Sequence, residues 1–198
     1  MIDAALRERI VATARRMNAL GINQGSSGNV SARVEGGFLV TPSGVPYEEL
    51  EPADIVHVGR DGHATGHRGP SSEWRFHRDI FARRPEAGAV VHTHSAFATT
   101  LACLGRPIPA FHYEVAFAGG ADIRCAPYRT FGTQELSDAA LAALEGRRAC
   151  LLAHHGVIAF GTDLDDALRL ADKVEALARL YWQAIQVAEP AVLDEAEM

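Results

Sequence analysis

The stretch AVVHTHSAFATT, residues 89–100, runs from an apolar segment through two histidines into a small-residue helix pattern. Side chains two apart on a β-strand share a face, so His92 and His94 are expected to project side by side. Ser95 stands where a helix cap belongs, and Gly105 stands where that helix should stop. A strand feeding straight into a helix is the joint on which an α/β reading turns. The histidine pair is a chelate geometry, but a polar strand end has the same look. It needs a third ligand, a carboxylate and a substrate pocket before it means a site.

The flanking sequence alternates in kind. Asp3 is placed to cap a first helix carrying Leu6, Ile10, Ala14 and Met17, ended by Gly21. NQGSSGNVSARV leads from a Gly/Ser loop into a strand, Glu35-Gly36-Gly37 turns the chain, and FLVTPSG adds a strand and a second Gly/Ser loop. DIVHVGRDGHAT reads as a hairpin turning at Asp61-Gly62. Pro70-Ser71-Ser72-Glu73 opens a helix, WRFHRDIFARR, which Pro85 ends. Beyond Gly105 come IPAFHY, the pair Gly119-Gly120, and DIRCAPY. Thr133 caps a helix running to Gly146, and ACLLAHHGVIAFG reads as two strands hinged at His155-Gly156. Asp163 caps a long last helix with Leu168, Ala171, Val174, Leu177, Leu180 and Tyr181 on its apolar side. Hairpins and tight turns among the helices speak against a wholly parallel sheet. The expected fold is one α/β domain, residues 1–198, with a mixed, mostly antiparallel sheet covered by helices.

Composition narrows the function. The 198 residues are 47% hydrophobic and 22% charged with a net charge of −6, and no block of Lys or Arg occurs. That argues against nucleic acid and anionic membrane as partners, though backbone amides can still hold a phosphate. No apolar run is long enough to span a bilayer. Cys103, Cys125 and Cys150 are scattered without CxxC spacing and read as reduced, buried thiols of a cytoplasmic protein.

Three further features meet the requirements of the histidine pair. In LLAHHGVIAF, adjacent strand residues face opposite ways, so only one of His154 and His155 can join a common site, and His155 beside Gly156 could complete a set of three. In PSSEWRFH, Ser71 and Ser72 lie at a helix start, where free N–H groups favour an anion. Glu73 is either a catalytic carboxylate or one that complements the helix dipole, and His77 one turn on is assigned to packing or hydrogen bonding. The loops GSSGN and TPSG let backbone approach a phosphate closely, although neither has the spacing of a nucleotide-binding fingerprint.

GSSGNVSAR, LVTPSG, PSSEWRFH, VVHTHS, HYEVAFAGG, APYRTFGT and LLAHHG, in this order, resemble the class II aldolase/adducin family over almost the whole chain. The resemblance implies a three-layer αβα sandwich and a homotetramer with active sites at subunit interfaces. It implies zinc on His92, His94 and His155, Glu73 as acid/base, and phosphate contacts from Gly28, Asn29, Ser43, Gly44, Ser71 and Ser72. Tyr113 in AFHYEV matches a tyrosine that reaches a neighbouring subunit's site; as an isolated residue it would read as a half-buried strand aromatic.

The implied reaction is reversible aldol cleavage of a ketose 1-phosphate to dihydroxyacetone phosphate and an aldehyde. L-fuculose 1-phosphate or a deoxy- or methylthio-pentulose 1-phosphate would be the substrate. A pentulose-phosphate 4-epimerase, a methylthioribulose-phosphate dehydratase and an adducin-head-like structural module are the alternatives within the family. The chain departs from the family pattern by ending at Met198 soon after its last helix, so the resemblance speaks for the chemistry more than for aldehyde selectivity. The one lysine, Lys173, lies midway along the last helix and is expected to pair with Asp172 or Glu175, which speaks against a Schiff base.

Overall fold

A period-two alternation of buried residues governs the centre of the chain. In β5 (Ala89–Thr93), Ala89 and Val91 pack with one core cluster while Val90 packs with another, so both faces of the strand are covered. The computed structural model describes residues 3–194 and 196–198. Around β5 it builds a sheet from β1 (Asn29–Val34), β2 (Gly37–Val40), β3 (Val56–Gly59), β4 (Ala64–Thr65), β8 (Cys125–Ala126), β9 (Ala149–Leu152) and β10 (Gly156–Gly161). The spatial order is β4-β3-β2-β1-β5-β10-β9-β8. All pairings are antiparallel except β8 with β9. The strands β6 (Ile108–Pro109) and β7 (Asp122–Ile123) form a separate small ribbon.

Helices α1 (Ala4–Ala19), α3 (Ala96–Cys103) and α5 (Leu164–Ile185) bury their apolar sides on one face of the sheet. Helices α2 (Trp74–Arg83) and α4 (Gln134–Ala143) cover the other through Phe76, Ile80, Leu136 and Ala140. The fold is the expected α/β sandwich with a mixed, mostly antiparallel sheet. No helix among the described residues is long and apolar enough to cross a membrane.

The caps divide into those that local chemistry decides and those that tertiary structure overrides. Thr133 accepts from the Leu136 N–H and Asp163 from the Asp166 N–H, as their positions predict. Asp3 instead sits at φ 56° and makes no side-chain cap bond. Ser95 does not cap α3 either. Glu175, from the middle of α5, accepts from the Phe97 and Ala98 N–H groups at 2.8 and 2.9 Å, and a full carboxylate displaces the hydroxyl. Two other expectations fail by packing: Leu180 is 46% exposed, and Cys103 is exposed while Cys150 is buried.

Candidate active site

The centre of the sheet brings the histidines together. His92 is register partner to Asn29 on β1 and to Ile158 on β10. His94 follows one residue beyond β5, and the β9–β10 hairpin delivers the third imidazole. In that hairpin His154 takes a left-handed φ of 56° and donates its N–H to the Ala102 carbonyl. The twist turns His155 inward. The three ring centroids of His92, His94 and His155 lie 4.8, 4.9 and 5.0 Å apart. His154 points outward, edge-on to Tyr128, so of the two adjacent histidines the structure takes His155.

Two glycines permit this approach. A Cβ on Gly156 would stand 2.3 Å from the Thr93 carbonyl oxygen and 2.9 Å from the His94 ring. A Cβ on Gly28 would stand 2.3 Å from the His92 carbonyl oxygen.

Glu73 occupies the cap position of α2 but makes no side-chain cap bond, and it is 5% exposed. Its carboxylate turns into the histidines instead, with Oε2 3.2 Å from His92 Nε2 and Oε1 3.1 Å from His155 Nε2. The dipole-complementing alternative is therefore not the arrangement adopted. One ligand atom from each of Glu73, His92, His94 and His155 lies within 4.8 Å of the others.

The donor set fits a divalent metal. His92 Nδ1 lies 2.8 Å from the Val157 carbonyl, which requires the proton on Nδ1 and leaves the Nε2 lone pair facing inward. His92 Nε2 and His94 Nε2 are 3.0 Å apart, and Glu73 Oε1 is buried without a hydrogen bond. Three ring nitrogens converging beside a carboxylate oxygen that has no hydrogen bond are what a cation would satisfy. Burial opposes ionisation of Glu73, but positive charge at the positions of His92 and His155 outweighs it and holds the carboxyl below its usual range, a charge that a cation held by the neutral rings would supply in their place. Burial, with His92 and His155 adding to it, lowers His94 to about 4.

A buried chain of polar side chains lies behind Glu73. Asn29 and Ser31 are two apart on β1 and share a face, while Glu73 and His77 are one turn apart at the start of α2. Asn29 Nδ2 donates to Glu73 Oε2 at 3.0 Å, and Asn29 Oδ1 lies 2.5 Å from His77 Nε2. Ser31 Oγ lies 2.6 Å from His77 Nδ1. His77 is thus in the hydrogen-bonding role expected of it. Asn29 was expected to meet a phosphate, but its side-chain amide is committed to Glu73 and His77.

The expected anion loops are sewn together at the edge of this site. The Thr41 and Val30 main chains bond at 3.0 Å, Ser71 N–H reaches the Thr41 carbonyl at 3.0 Å, and Ser43 N–H reaches the Gly69 carbonyl at 3.3 Å. Three segments carrying Gly28 and Asn29, Ser43 and Gly44, and Ser71 and Ser72 therefore adjoin. Ser71 is buried with its Oγ accepting from the Glu73 N–H, whereas Ser43, Gly44 and Ser72 are exposed.

Tyr113 is not brought to this chain's histidines. It opens a 3₁₀ helix (Tyr113–Ala118) and is 63% exposed, so it is not a half-buried strand aromatic. Lys173 pairs with Glu114 at 2.8 Å, across from that helix, rather than with its own helical neighbours. A cleft of about 340 Å³ over the histidines is lined by Ser72, Glu73, Tyr128, Arg129 and Phe131, among others. Sequence reasoning gave Tyr128, Arg129 and Phe131 no role. Their signal was two aromatics around an arginine in a loop rich in turn residues, APYRTFGT.

Comparison with known proteins agrees with this geometry. Residues 8–182 match the model of the class II aldolase and adducin N-terminal domain. The chain is 58% identical over 194 residues to a 5-methylthioribulose-1-phosphate/5-deoxyribulose-1-phosphate aldolase of Rhodospirillum rubrum, covering 98% of this chain and 88% of the relative. It is 48% identical to an L-fuculose phosphate aldolase of Escherichia coli, covering 98% and 90%. A solved L-fuculose 1-phosphate aldolase superposes with a TM-score of 0.95 at 37% identity, covering 100% of this chain and 93% of that one.

Proposed function

The chain belongs to the class II aldolase and adducin family, and from that premise we propose that it catalyses reversible aldol cleavage of a ketose 1-phosphate to dihydroxyacetone phosphate and an aldehyde. The observation that carries the reading is the buried Glu73 carboxylate facing His92, His94 and His155. Zinc is the metal we assign to the three histidines, since a His₃ set with an open position is zinc's catalytic arrangement. When bound, it would supply Lewis-acid stabilisation for the negative charge that C3–C4 cleavage leaves on the substrate oxygens.

The residues divide the remaining work. Glu73 returns a proton to C3 after cleavage and removes it in the synthetic direction, within reach of the histidine cluster. The adjoining main chains of Gly28, Asn29, Ser43 and Gly44, with the hydroxyls of Ser71 and Ser72, receive the phosphate by neutral donors. Tyr113 handles the C4 hydroxyl proton from a neighbouring subunit of a homotetramer: it gives its phenolic proton to the alkoxide in the synthetic direction and takes that proton back as the phenolate in cleavage. Its exposure, together with that of Phe117 at 56%, supports a role outside its own chain. Free cysteines among the described residues support a cytoplasmic setting.

The mouth of the cleft supports a narrower substrate class. Tyr128 and Phe131 are 56% and 65% exposed and offer an apolar wall to the aldehyde end. That wall suits a terminal methyl or methylthio group. With the 58% identity to the R. rubrum enzyme, it favours 5-methylthioribulose or 5-deoxyribulose 1-phosphate over L-fuculose 1-phosphate. The test is a panel of these ketose 1-phosphates with dihydroxyacetone phosphate release coupled to an NADH-consuming reductase. The highest kcat/KM should fall on a 5-deoxy or 5-methylthio pentulose. Release from none of them would overturn the aldolase reading.

A further inference from the structure

Four consecutive hydrogen-bonding groups, Ser31, His77, Asn29 and Glu73, are 0, 0, 2 and 5% exposed. Such a chain has only a few consistent arrangements of its protons, and the chemistry of each group fixes which. A carboxylate oxygen can only accept, so the Asn29 group at 3.0 Å from Glu73 Oε2 must be the NH₂. The other end of the amide is then a carbonyl oxygen, which also only accepts. His77 Nε2, 2.5 Å away, must therefore carry its proton. Burial, reinforced by His92, lowers His77 to about 3, so the ring is neutral and its Nδ1 accepts from the Ser31 hydroxyl at 2.6 Å. Every proton in the row runs toward the carboxylate.

We infer that Ser31 and His77 are positioning residues that act through Asn29 to hold the Glu73 carboxylate turned toward the histidine cluster. The inference rests on the reading of Glu73 as the group that moves the C3 proton. It also explains why a single asparagine would not serve. The terminal torsion of an asparagine is broad, and a lone Asn29 could rotate to present either end. With His77 Nε2–H on its oxygen, rotation would set an amide hydrogen against a ring hydrogen and an oxygen against the carboxylate. His77 is itself held against Phe76 with centroids 4.6 Å apart, and Ser31 sits in the central sheet as register partner of Val90. The orientation of a side chain at the helix cap is thus tied to the central sheet.

The isosteres separate hydrogen bonding from packing. In His77→Gln the amide nitrogen can take the place of Nε2 and still donate to Asn29. In His77→Asn a polar atom reaches only the Ser31 side, and in His77→Phe the ring packs but donates nothing. C3 proton exchange of dihydroxyacetone phosphate should persist within about threefold in His77→Gln. In His77→Asn and His77→Phe, kcat should fall by about 100-fold, the scale of a misplaced catalytic group. KM should stay within about twofold and metal content should be unchanged throughout.

Equal losses in His77→Gln and His77→Phe, or a KM that rises as kcat falls, would overturn the inference. A second measurement holds even if these variants fail to fold or the wild type shows no exchange. ¹⁵N NMR of histidine-labelled wild-type protein should show His77 as the neutral Nε2–H tautomer. An Nδ1–H or doubly protonated ring would refute the relay. Absent exchange in the wild type with an Nε2–H ring would instead place the failure in the aldolase reading and leave the relay standing.

Discussion

Replacing Gly156 by alanine should weaken metal binding without removing any ligand. The new Cβ would stand 2.3 Å from the Thr93 carbonyl oxygen, 2.9 Å from His94 Cδ2 and 3.3 Å from His92 Cε1. Non-bonded carbon contacts settle near 3.5–4.0 Å, so something must retreat by about 1 Å. The oxygen belongs to β5, whose Thr93 is register partner to Val157, and cannot swing aside alone. The strain is therefore shared between parting β5 from β10 and tilting the His94 ring.

Overpacking of this kind costs about 1–3 kcal/mol. The lost freedom of the unfolded chain returns about 0.4–1 kcal/mol, so the net destabilisation should be about 1–2 kcal/mol. A ligand displaced in this way should lower metal affinity by about 10–100-fold, the scale of losing a group that orients a ligand. Chelator competition gives the metal Kd, and urea unfolding gives the stability. The control is Gly146→Ala: Gly146 has φ +67° and nothing within 4 Å of its would-be Cβ. That variant should lose about 1–2 kcal/mol through the left-handed backbone alone and bind metal as the wild type does. Wild-type metal affinity in Gly156→Ala would refute the close-approach argument.

Tyr113→Phe should slow aldol cleavage while leaving C3 proton exchange nearly intact, and mixed oligomers of Tyr113→Phe with Glu73→Gln should recover activity; verified mixed oligomers with none would exclude action in trans. Ser71→Asp should raise KM for the ketose 1-phosphate by tenfold or more, since a second anion would face the phosphate, and an unchanged KM would remove Ser71 from the phosphate site. Glu175→Ala should cost about 1–2 kcal/mol in urea unfolding, because the Phe97 and Ala98 N–H groups lose their acceptor; a loss below about 0.5 kcal/mol would show that Ser95 or water substitutes.

The residues that local chemistry controls could be read from sequence alone. The strand into His92 and His94, the caps Thr133 and Asp163, and the hinge before Gly156 follow from alternation, cap chemistry and turn residues. What escaped was set by distant partners. Ser95 has a sound cap sequence, yet a carboxylate 80 residues later in the chain takes its place. Lys173 finds Glu114 instead of its helical neighbours, because the 3₁₀ helix after His112 packs beside α5.

Alternation showed only that one of His154 and His155 could join the site, and the family resemblance named His155; the left-handed residue that turns it inward is not announced by a histidine pair. Asn29 was legible as a loop residue near an anion, but its bond to Glu73 depends on β1 lying next to β2, whose end at Thr41 bonds to the Ser71 segment that carries Glu73. Strand order is a long-range property, and the periodicity of a strand does not name its neighbour.

The most direct measurement of the central claim is C3 hydrogen exchange of dihydroxyacetone phosphate in D₂O, followed by ¹H NMR, with metal content determined on the same samples. Glu73→Gln preserves the size of the side chain and an oxygen for Asn29 Nδ2 to reach, and it removes the base. The wild type with about one metal per chain should exchange the proton stereospecifically. Glu73→Gln should keep its metal and lose exchange by about 10²–10⁴-fold, the usual worth of a positioned acid/base. Wild-type exchange in metal-loaded Glu73→Gln would contradict the account.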